Sequence, residues 1–539
     1  MAFPFLISFF LVAFGQCAWI REAGVIAAMG GYALFWMAML QLPQKKSRFF
    51  LAMSWFIAVQ AVQLSWMTST FYMGLMILGV YFFLLVALGV QFAFLSSMLS
   101  PASMNKPITQ VAIAGGFVIL EWARIYFLTG FTWNPVGLAL ASSRYSLQLA
   151  AVFGIYGLTF WVILTNLAAL SLVLYPTVKR AFYWAFLALF PYGFGIGHEA
   201  IIQKCHAPTT YFTAALINTG IRVEEKNKTF ESPVAFIPPH QQWERVMSWL
   251  SGHEPVHFII LPEAAFPFGN NPFYPLDLFQ KKWENYFGEE SAKDFPSLTP
   301  PFAHLHESTW FVSNAFFLQS LANHFSADLI AGLDDSNAMQ RYTNTAFLFR
   351  PFSEQVERYD KRILAPVGEY VPLQKIRWVA DFFEKKFGIK DSFDAGKEAK
   401  VFQSHVSIGV PICLEEIYSG LVRDLRNRGA ELFVGLSNDV WFPDSRLGKQ
   451  HFEHARIRAA ENGVFFLRSS NMGITGGIDC FGQPICTKEK QGALFVSFPA
   501  FSYATLYSFW GDAAILFISG LSVLLEAVYK LRFRQKRSL

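Results

Sequence analysis

At 539 residues, with 53% hydrophobic and only 15% charged residues, the chain exceeds one ordinary domain and is too apolar to be wholly water-soluble. Its formal net charge of +5 is too small and too dispersed to point to a nucleic-acid partner. Cys17, Cys205, Cys413, Cys480 and Cys486 are an odd set without CxxC or zinc-ligand spacing, which argues against a disulfide framework and leaves only a local Cys480–Cys486 pair open.

The apolar content is uneven. Residues 1–200 carry only twelve charged side chains and no aspartate. A membrane-crossing helix needs about 20 mostly apolar residues. Stretches near 3–20, 23–43, 49–68, 72–98, 107–128, 147–175, 181–197 and 509–529 meet that need, so the expectation is seven spans before a polar region and one after it. The first stretch lacks the basic start and small-residue cleavage site of a signal peptide and is read as a retained helix. Basic residues in short loops set orientation. "QKKSR" at 44–48, Lys106, "KR" at 179–180 and the tail "KLRFRQKRSL" fall on one side, which is expected to be cytoplasmic. The region after residue 200 then faces outward, into the periplasm of a bacterial cell. Glu121 and Arg124, three apart near the end of the fifth span, are expected to pair as a structural clamp. The loop after them, with Phe131 and Trp133, is placed along the membrane surface.

Beyond residue 210 the texture changes. "YFTAALINTG", "VHFIILPEAAFPF", "ADLIAGLDD", "NTAFLFRP", "HVSIGVPICLEE" and "AELFVGLSND" read as strands, and "EEIYSGLVRDLRNRG" reads as an amphipathic helix. This is an α/β domain. The expected limits are a membrane domain over 1–200, an exported domain over 201–507, and a final span with a basic tail over 508–539. "HLHE" at 304 and "HFEH" at 451 lack the helical HExxH order of a zinc hydrolase and are read as solvated polar surface, with no metal.

Three strand-like segments lead to chemistry: "LPEAAFP" around Glu263, "YDKRILAPVGEYVP" around Lys361 and Glu369, and "GVPICLEEIY" around Cys413. Glutamate, lysine and cysteine in this order and setting resemble the nitrilase, or carbon–nitrogen hydrolase, superfamily. With seven helices before the α/β region and one after it, the whole chain resembles the apolipoprotein N-acyltransferases; "EWARIYFLTGFTWNPVG", "LSNDVWFPDS" and "HFEHARIRAAENGVFFLRSSNMGITGGID" agree. The resemblance implies about eight transmembrane helices carrying an exported αββα sandwich. Two departures stand out: Leu414 follows the cysteine where the family often has tyrosine, and the stretch between Glu263 and Lys361 contains an apparent insertion over "KKWENYFGEESAKDFPSLTPPFAHLHE".

A thiol must be deprotonated to attack, and a nearby lysine and a helix N-terminus both favour the thiolate. The expected roles are Cys413 as nucleophile, Glu263 as general base, and Lys361 with the Leu414 backbone N–H as oxyanion holders. Glu369 is expected to orient Lys361 or substrate, and Glu415 to support a loop. Trp133 and Trp441 are candidate substrate contacts, with a core or interfacial role as the alternative. The implied reaction is acyl transfer from a membrane phospholipid, through a cysteine thioester, to the N-terminal amine of a diacylated apolipoprotein. It needs no dissociable cofactor and would be carried out by a monomer in the bacterial inner membrane. A membrane-tethered amidase fits the three motifs equally well, and a non-catalytic binding module is a third reading.

Overall fold

A computed structural model describes residues 2–127, 130–205, 210–226, 236–271, 273–336, 339, 341–387 and 392–535. Residues 128–129 of the loop after the fifth span and residues 536–539 of the basic tail lie outside the described residues. The chain divides into two units, one of residues 1–207, 444–463 and 503–539, the other of residues 208–443 and 464–502. These units do not coincide with the limits drawn from composition.

In the first unit, six helices among the described residues are long and apolar enough to cross a membrane: Arg21–Leu40, Met76–Ser96, Pro107–Tyr126, Ala150–Leu174, Val178–Cys205 and Ala513–Arg532. The other two expected spans are also helical, but Ala2–Phe14 is short and Lys45–Gln63 opens with three basic residues. Ala150–Leu174 is the most buried of the six. From it Asn166 reaches a π-helical turn at Ala27–Gly31, accepting from the N–H groups of Tyr32 and Ala33 and donating to the carbonyls of Ala27 and Ala28. A widened turn frees backbone groups that hydrocarbon cannot satisfy, and one amide side chain supplies the missing partners.

The Glu121–Arg124 clamp is thinner than expected. Their closest charged atoms are 3.9 Å apart. Glu121 is instead satisfied by the Val136 N–H and the Thr159 hydroxyl, and Arg124 Nε donates to Gln91. Trp133 lies in the core at 4% exposure, not along a membrane surface, and its indole N–H donates to Gln450. The "HFEH" segment is likewise buried, contrary to its reading as solvated surface. It belongs to the helix Leu447–Asn462, where the rings of His451 and His454 pack on Trp133 and His454 bonds the Trp133 carbonyl. This helix joins the first unit because its polar residues find partners there, among them Gln63 and the Ile155 N–H. Such distant pairing leaves no local signal in composition.

Among its described residues the second unit holds fifteen strands: β1 (Tyr211–Asn218), β2 (Phe258–Ile260), β3 (Tyr274–Pro275), β4 (Ala303–His306), β5 (Thr309–Val312), β6 (Asp328–Ser336), β7 (Tyr342–Phe349), β8 (Glu357–Asp360), β9 (Val401–Gln403), β10 (Ser407–Gly409), β11 (Leu432–Asn438), β12 (Phe465–Asn471), β13 (Thr475–Ile478), β14 (Pro484–Lys488) and β15 (Gly492–Pro499). Twelve form two six-stranded sheets, ordered β15-β1-β2-β6-β7-β8 and β14-β13-β12-β11-β10-β9. Each has a parallel centre, β1-β2-β6 or β10-β11-β12, flanked by antiparallel strands. The central runs are apolar on both faces, as buried parallel strands require. The sheets meet through β1 and β15 against β12 and β13, with the Ser469 hydroxyl bonded to the Ile217 carbonyl. Helices Pro239–Leu250 and Asn314–Phe325 pack on the first sheet, and Ser419–Asn427 packs on β10. The αββα layering follows. The apparent insertion is ordered: helix Leu276–Phe287 buries Phe279 and Trp283 beside the β3-β5-β4 sheet, extending the hydrophobic core. Cys480 and Cys486 are not joined in a disulfide.

Gly154 breaks the helical backbone at φ +65°, and a methyl group there would fall 2.4 Å from the Tyr507 ring. Gly154→Ala should lower the thermal unfolding midpoint by roughly 2–6 °C, through strain of about 1–3 kcal/mol. Gly197→Ala, where a Cβ meets nothing within 4 Å, should leave it unchanged. Equal midpoints for the two variants would contradict this packing.

Candidate active site

The three residues singled out by the sequence motifs follow strand ends, two of them those of the parallel centres. Glu263 lies three residues beyond β2 and Cys413 four beyond β10, while Lys361 directly follows β8. Carboxyl ends of parallel strands are where open α/β sheets place ligands, since side chains leaving the sheet there converge above its edge. β7 runs antiparallel to β6 and sets Asn344 opposite Asp334 at that edge, and the Lys361 N–H bonds the Asn344 carbonyl at 2.8 Å.

Lys361 is 1% exposed, and its ammonium donates to Glu263 Oε1 at 2.8 Å and Glu369 Oε1 at 2.9 Å. Asn344 Nδ2 donates to the same two oxygens, each at 2.6 Å. The second Glu369 oxygen accepts from the Ala365 N–H at 2.5 Å. Burial pushes the Lys361 ammonium down, but Glu263 and Glu369 outweigh it and hold it well above its ordinary value. Losing one partner of such a buried pair costs about 3–5 kcal/mol. The Lys361 ammonium is thereby a fixed positive charge.

Cys413 is half-buried at the start of a short 3₁₀ turn, Cys413–Ile417, with φ of +50°. Ala264, after Glu263, has φ of +45°. Non-glycine residues are rarely left-handed, and each such residue stores about 1–3 kcal/mol. Here the strain turns the chain sharply off the strand ends. Gly332 allows the close fit: a methyl there would sit 2.6 Å from Glu263 Cα.

The electrostatic balance at the thiol reverses the one expected from the lysine alone. Burial raises the Cys413 thiol well above its ordinary value and Glu263 raises it further, while Lys361 and a backbone hydrogen bond with Asn438 work against them. Cys413 is therefore held as a thiol rather than a thiolate, so any attack by its sulfur would call for a base. The expected helix N-terminus does not follow directly, because Cys413 opens the 3₁₀ turn Cys413–Ile417, and the rest of that turn and Tyr418 intervene before Ser419–Asn427.

Glu415 is fully buried and bridges the Cys413 and Lys361 segments. It accepts from the Ile412 N–H at 2.9 Å, from the Arg362 and Ile363 N–H groups at 2.6 and 3.2 Å, and from the Tyr359 hydroxyl at 3.0 Å. The Cys413 turn is thereby tied to the lysine segment. Leu414 is half-buried beside Cys413, and Trp441 is half-buried beyond β11. Trp133 belongs to the other unit.

Four contributors escaped the sequence reading: Asn344, Tyr359, Arg468 and Asp439. Arg468 is fully buried, pairing with Glu416 at 3.0 Å and Asp439 at 3.3 Å beneath the cysteine turn. A buried arginine in a β-strand, "FFLRSSN", is the signal that was available. Lys226 donates to the Ala264 carbonyl at 2.5 Å. It is brought down to about 8 by burial, and Asp334 is pushed up to about 6 by burial and then by Glu263.

The pH dependence of Cys413 alkylation by iodoacetamide, followed by peptide mass spectrometry, checks this balance. Glu263→Gln removes a charge that raises the thiol and should move the reactivity profile to lower pH. Lys361→Ala removes one that lowers it and should move the profile to higher pH. Shifts of the same sign would contradict the arrangement.

Residues 236–511 match the carbon–nitrogen hydrolase family, and residues 4–168 match the apolipoprotein N-acyltransferase N-terminal domain. The apolipoprotein N-acyltransferase of Chlamydia caviae is 30% identical over 544 residues, covering 96% of this chain and 96% of that protein. The Chlamydia muridarum apolipoprotein N-acyltransferase is 28% identical over 98% of this chain and 97% of its own length. The solved structure of Saccharomyces cerevisiae Nit3, a nitrilase-superfamily member, is 16% identical with a TM-score of 0.35, covering 56% of this chain and 94% of that one. Matched along nearly its whole length, with both halves in the same order, the chain belongs to the apolipoprotein N-acyltransferase family.

Proposed function

We propose that this acyltransferase moves a fatty acyl group from a membrane phospholipid, through a thioester on Cys413, to the N-terminal α-amine of diacylglyceryl-cysteine apolipoproteins. One observation carries the reading: a buried ammonium held by two carboxylates accompanies a strained, half-buried cysteine, in a chain with six membrane-length helices among its described residues.

Glu263 takes the thiol proton as the sulfur attacks the ester carbonyl. Lys361 and the Leu414 N–H hold the resulting oxyanion, because the lysine cannot lose its charge between its carboxylates. Collapse breaks the carbonyl–oxygen bond, the glycerol oxygen takes the proton from Glu263, and lysophospholipid departs. The α-amine then attacks the thioester, Glu263 takes a proton from the nitrogen and returns it to sulfur, and the amide product leaves. Bonds and protons balance without an oxidant or cofactor. Glu369 and Asn344 keep Lys361 and Glu263 in register, and Glu415 keeps the cysteine turn beside them. Trp441 remains a candidate substrate contact, while the buried position of Trp133 supports a core role.

The proposed setting is the inner membrane of a bacterium, crossed several times by a monomer, with the catalytic domain in the periplasm. The basic loops at 44–48, 106 and 179–180 support that orientation.

Transfer to a synthetic diacylated lipopeptide should fall at least about 10³-fold in Cys413→Ala and Glu263→Gln with the fold intact. Lys361→Ala should lose activity equally and also melt lower, since it leaves the buried Glu263 and the partly buried Glu369 carboxylates without their cation. Cys480→Ala and Cys486→Ala should retain transfer. Near-native turnover by Cys413→Ala would eliminate the proposed nucleophile.

Orientation is tested separately by labelling introduced cysteines in intact spheroplasts. An impermeant thiol reagent should reach a reporter at Asn270 but not one at Ser538. The opposite pattern would place the catalytic domain in the cytoplasm.

A further inference from the structure

Helices Met76–Ser96 and Pro107–Ala123 of the first unit flank a groove of about 220 Å³. Leu84, Leu88, Leu120 and Phe131 contribute apolar walls, and Gln91 and Arg124 are the polar residues among those lining it. Arg124 is poorly matched for a guanidinium in such surroundings, its side chain only 14% exposed. Nε donates to Gln91 at 2.9 Å, but Nη2 is 3.9 Å from Glu121, whose oxygens already accept from Val136 and Thr159. Among the described residues, Nη1 donates to none. The groove thus combines hydrocarbon-like walls with a guanidinium fork whose outer N–H groups remain available to an anion.

Depth narrows the choice of anion. Arg124 lies seventeen residues after Pro107, about 26 Å along the helix at about 1.5 Å per residue, and thus at the head-group level opposite Lys106. A phosphodiester presents two oxygens to such a fork, and its acyl chains continue along apolar walls.

We propose that this groove binds the phosphodiester and adjoining methylenes of a glycerophospholipid, as a holding position for the acyl donor. The choice of donor rests on the acyl-transfer reading, whereas the site itself is testable without turnover. The full-length Cys413→Ala protein in nanodiscs is exposed to phosphatidylethanolamine bearing a diazirine in one acyl chain, and the labelled peptides are mapped by mass spectrometry.

Adducts should fall on the 84–91 and 120–127 segments. Arg124→Gln should reduce them about tenfold. Ala87→Phe, which fills the groove while leaving Arg124 and its bonds in place, should do the same and covers the case in which Arg124→Gln fails to fold. Diacylglycerol or free fatty acid carrying the same diazirine should label about tenfold less than the phospholipid. Undiminished labelling in a folded variant, or equal labelling by either phosphate-free lipid, overturns the proposal. Loss of acyl transfer in the Cys413-containing protein with groove labelling intact would overturn the functional reading and leave this site standing.

Discussion

The second unit is organised around one buried cation. Lys361 is the meeting point of Glu263, Glu369 and, through their shared oxygens, Asn344, which binds segments from β2, β7, β8 and the loop after β8 into one constellation. Desolvating an ammonium is repaid only when its partners are held at hydrogen-bond distance. The strands must therefore end in register, Gly332 must lack a side chain, and Glu415 must fix the cysteine turn to the lysine segment. In the proposed mechanism the carboxylates hold the proton on Lys361, so the lysine stabilises negative charge without exchanging protons. Glu263 is the group that exchanges them in that mechanism.

This division explains why a protonated resting thiol suits the site. A freely ionised cysteine would be exposed to oxidation and adventitious alkylation. In the proposed mechanism a thiol raised by burial and by Glu263 becomes nucleophilic only as its proton moves to that same carboxylate, during attack on a carbonyl whose developing charge Lys361 would meet. The conformational strain at Cys413 and Ala264 lies at the two points where chain direction must change to bring sulfur and carboxylate above the strand ends.

Much of this was legible in the sequence wherever the signal is local. The strands leading to Glu263 and Cys413 read as apolar runs, the helical spans read from length and composition, and the three motifs marked out Glu263, Lys361 and Cys413 as the proposed catalytic set by their order. What was hidden depends on distant partners. Asn344 looks like an ordinary strand residue in "NTAFLFRP", and nothing in its neighbours reveals that its amide faces two carboxylates. Trp133, His451 and His454 were assigned to surfaces from their polarity and context, yet they pack on one another over more than 300 intervening residues. Glu121 and Arg124 share a helix face, but local spacing could not show that Val136, Thr159 and Gln91 compete for them. The sign of the thiol shift was misjudged for a related reason, since spacing reveals a lysine nearby but not how far burial and a second carboxylate oppose it.

The central claim is that Cys413 stores the acyl group between two half-reactions. Its most direct test is intact-protein and peptide mass spectrometry after incubation with phospholipid alone. The account predicts a fatty-acyl adduct on the Cys413 peptide, removed by neutral hydroxylamine and discharged by a diacylated lipopeptide with a free N-terminus but not by its N-acetylated form. Release of free fatty acid with no adduct, and no acylated peptide at saturating acceptor, would contradict it.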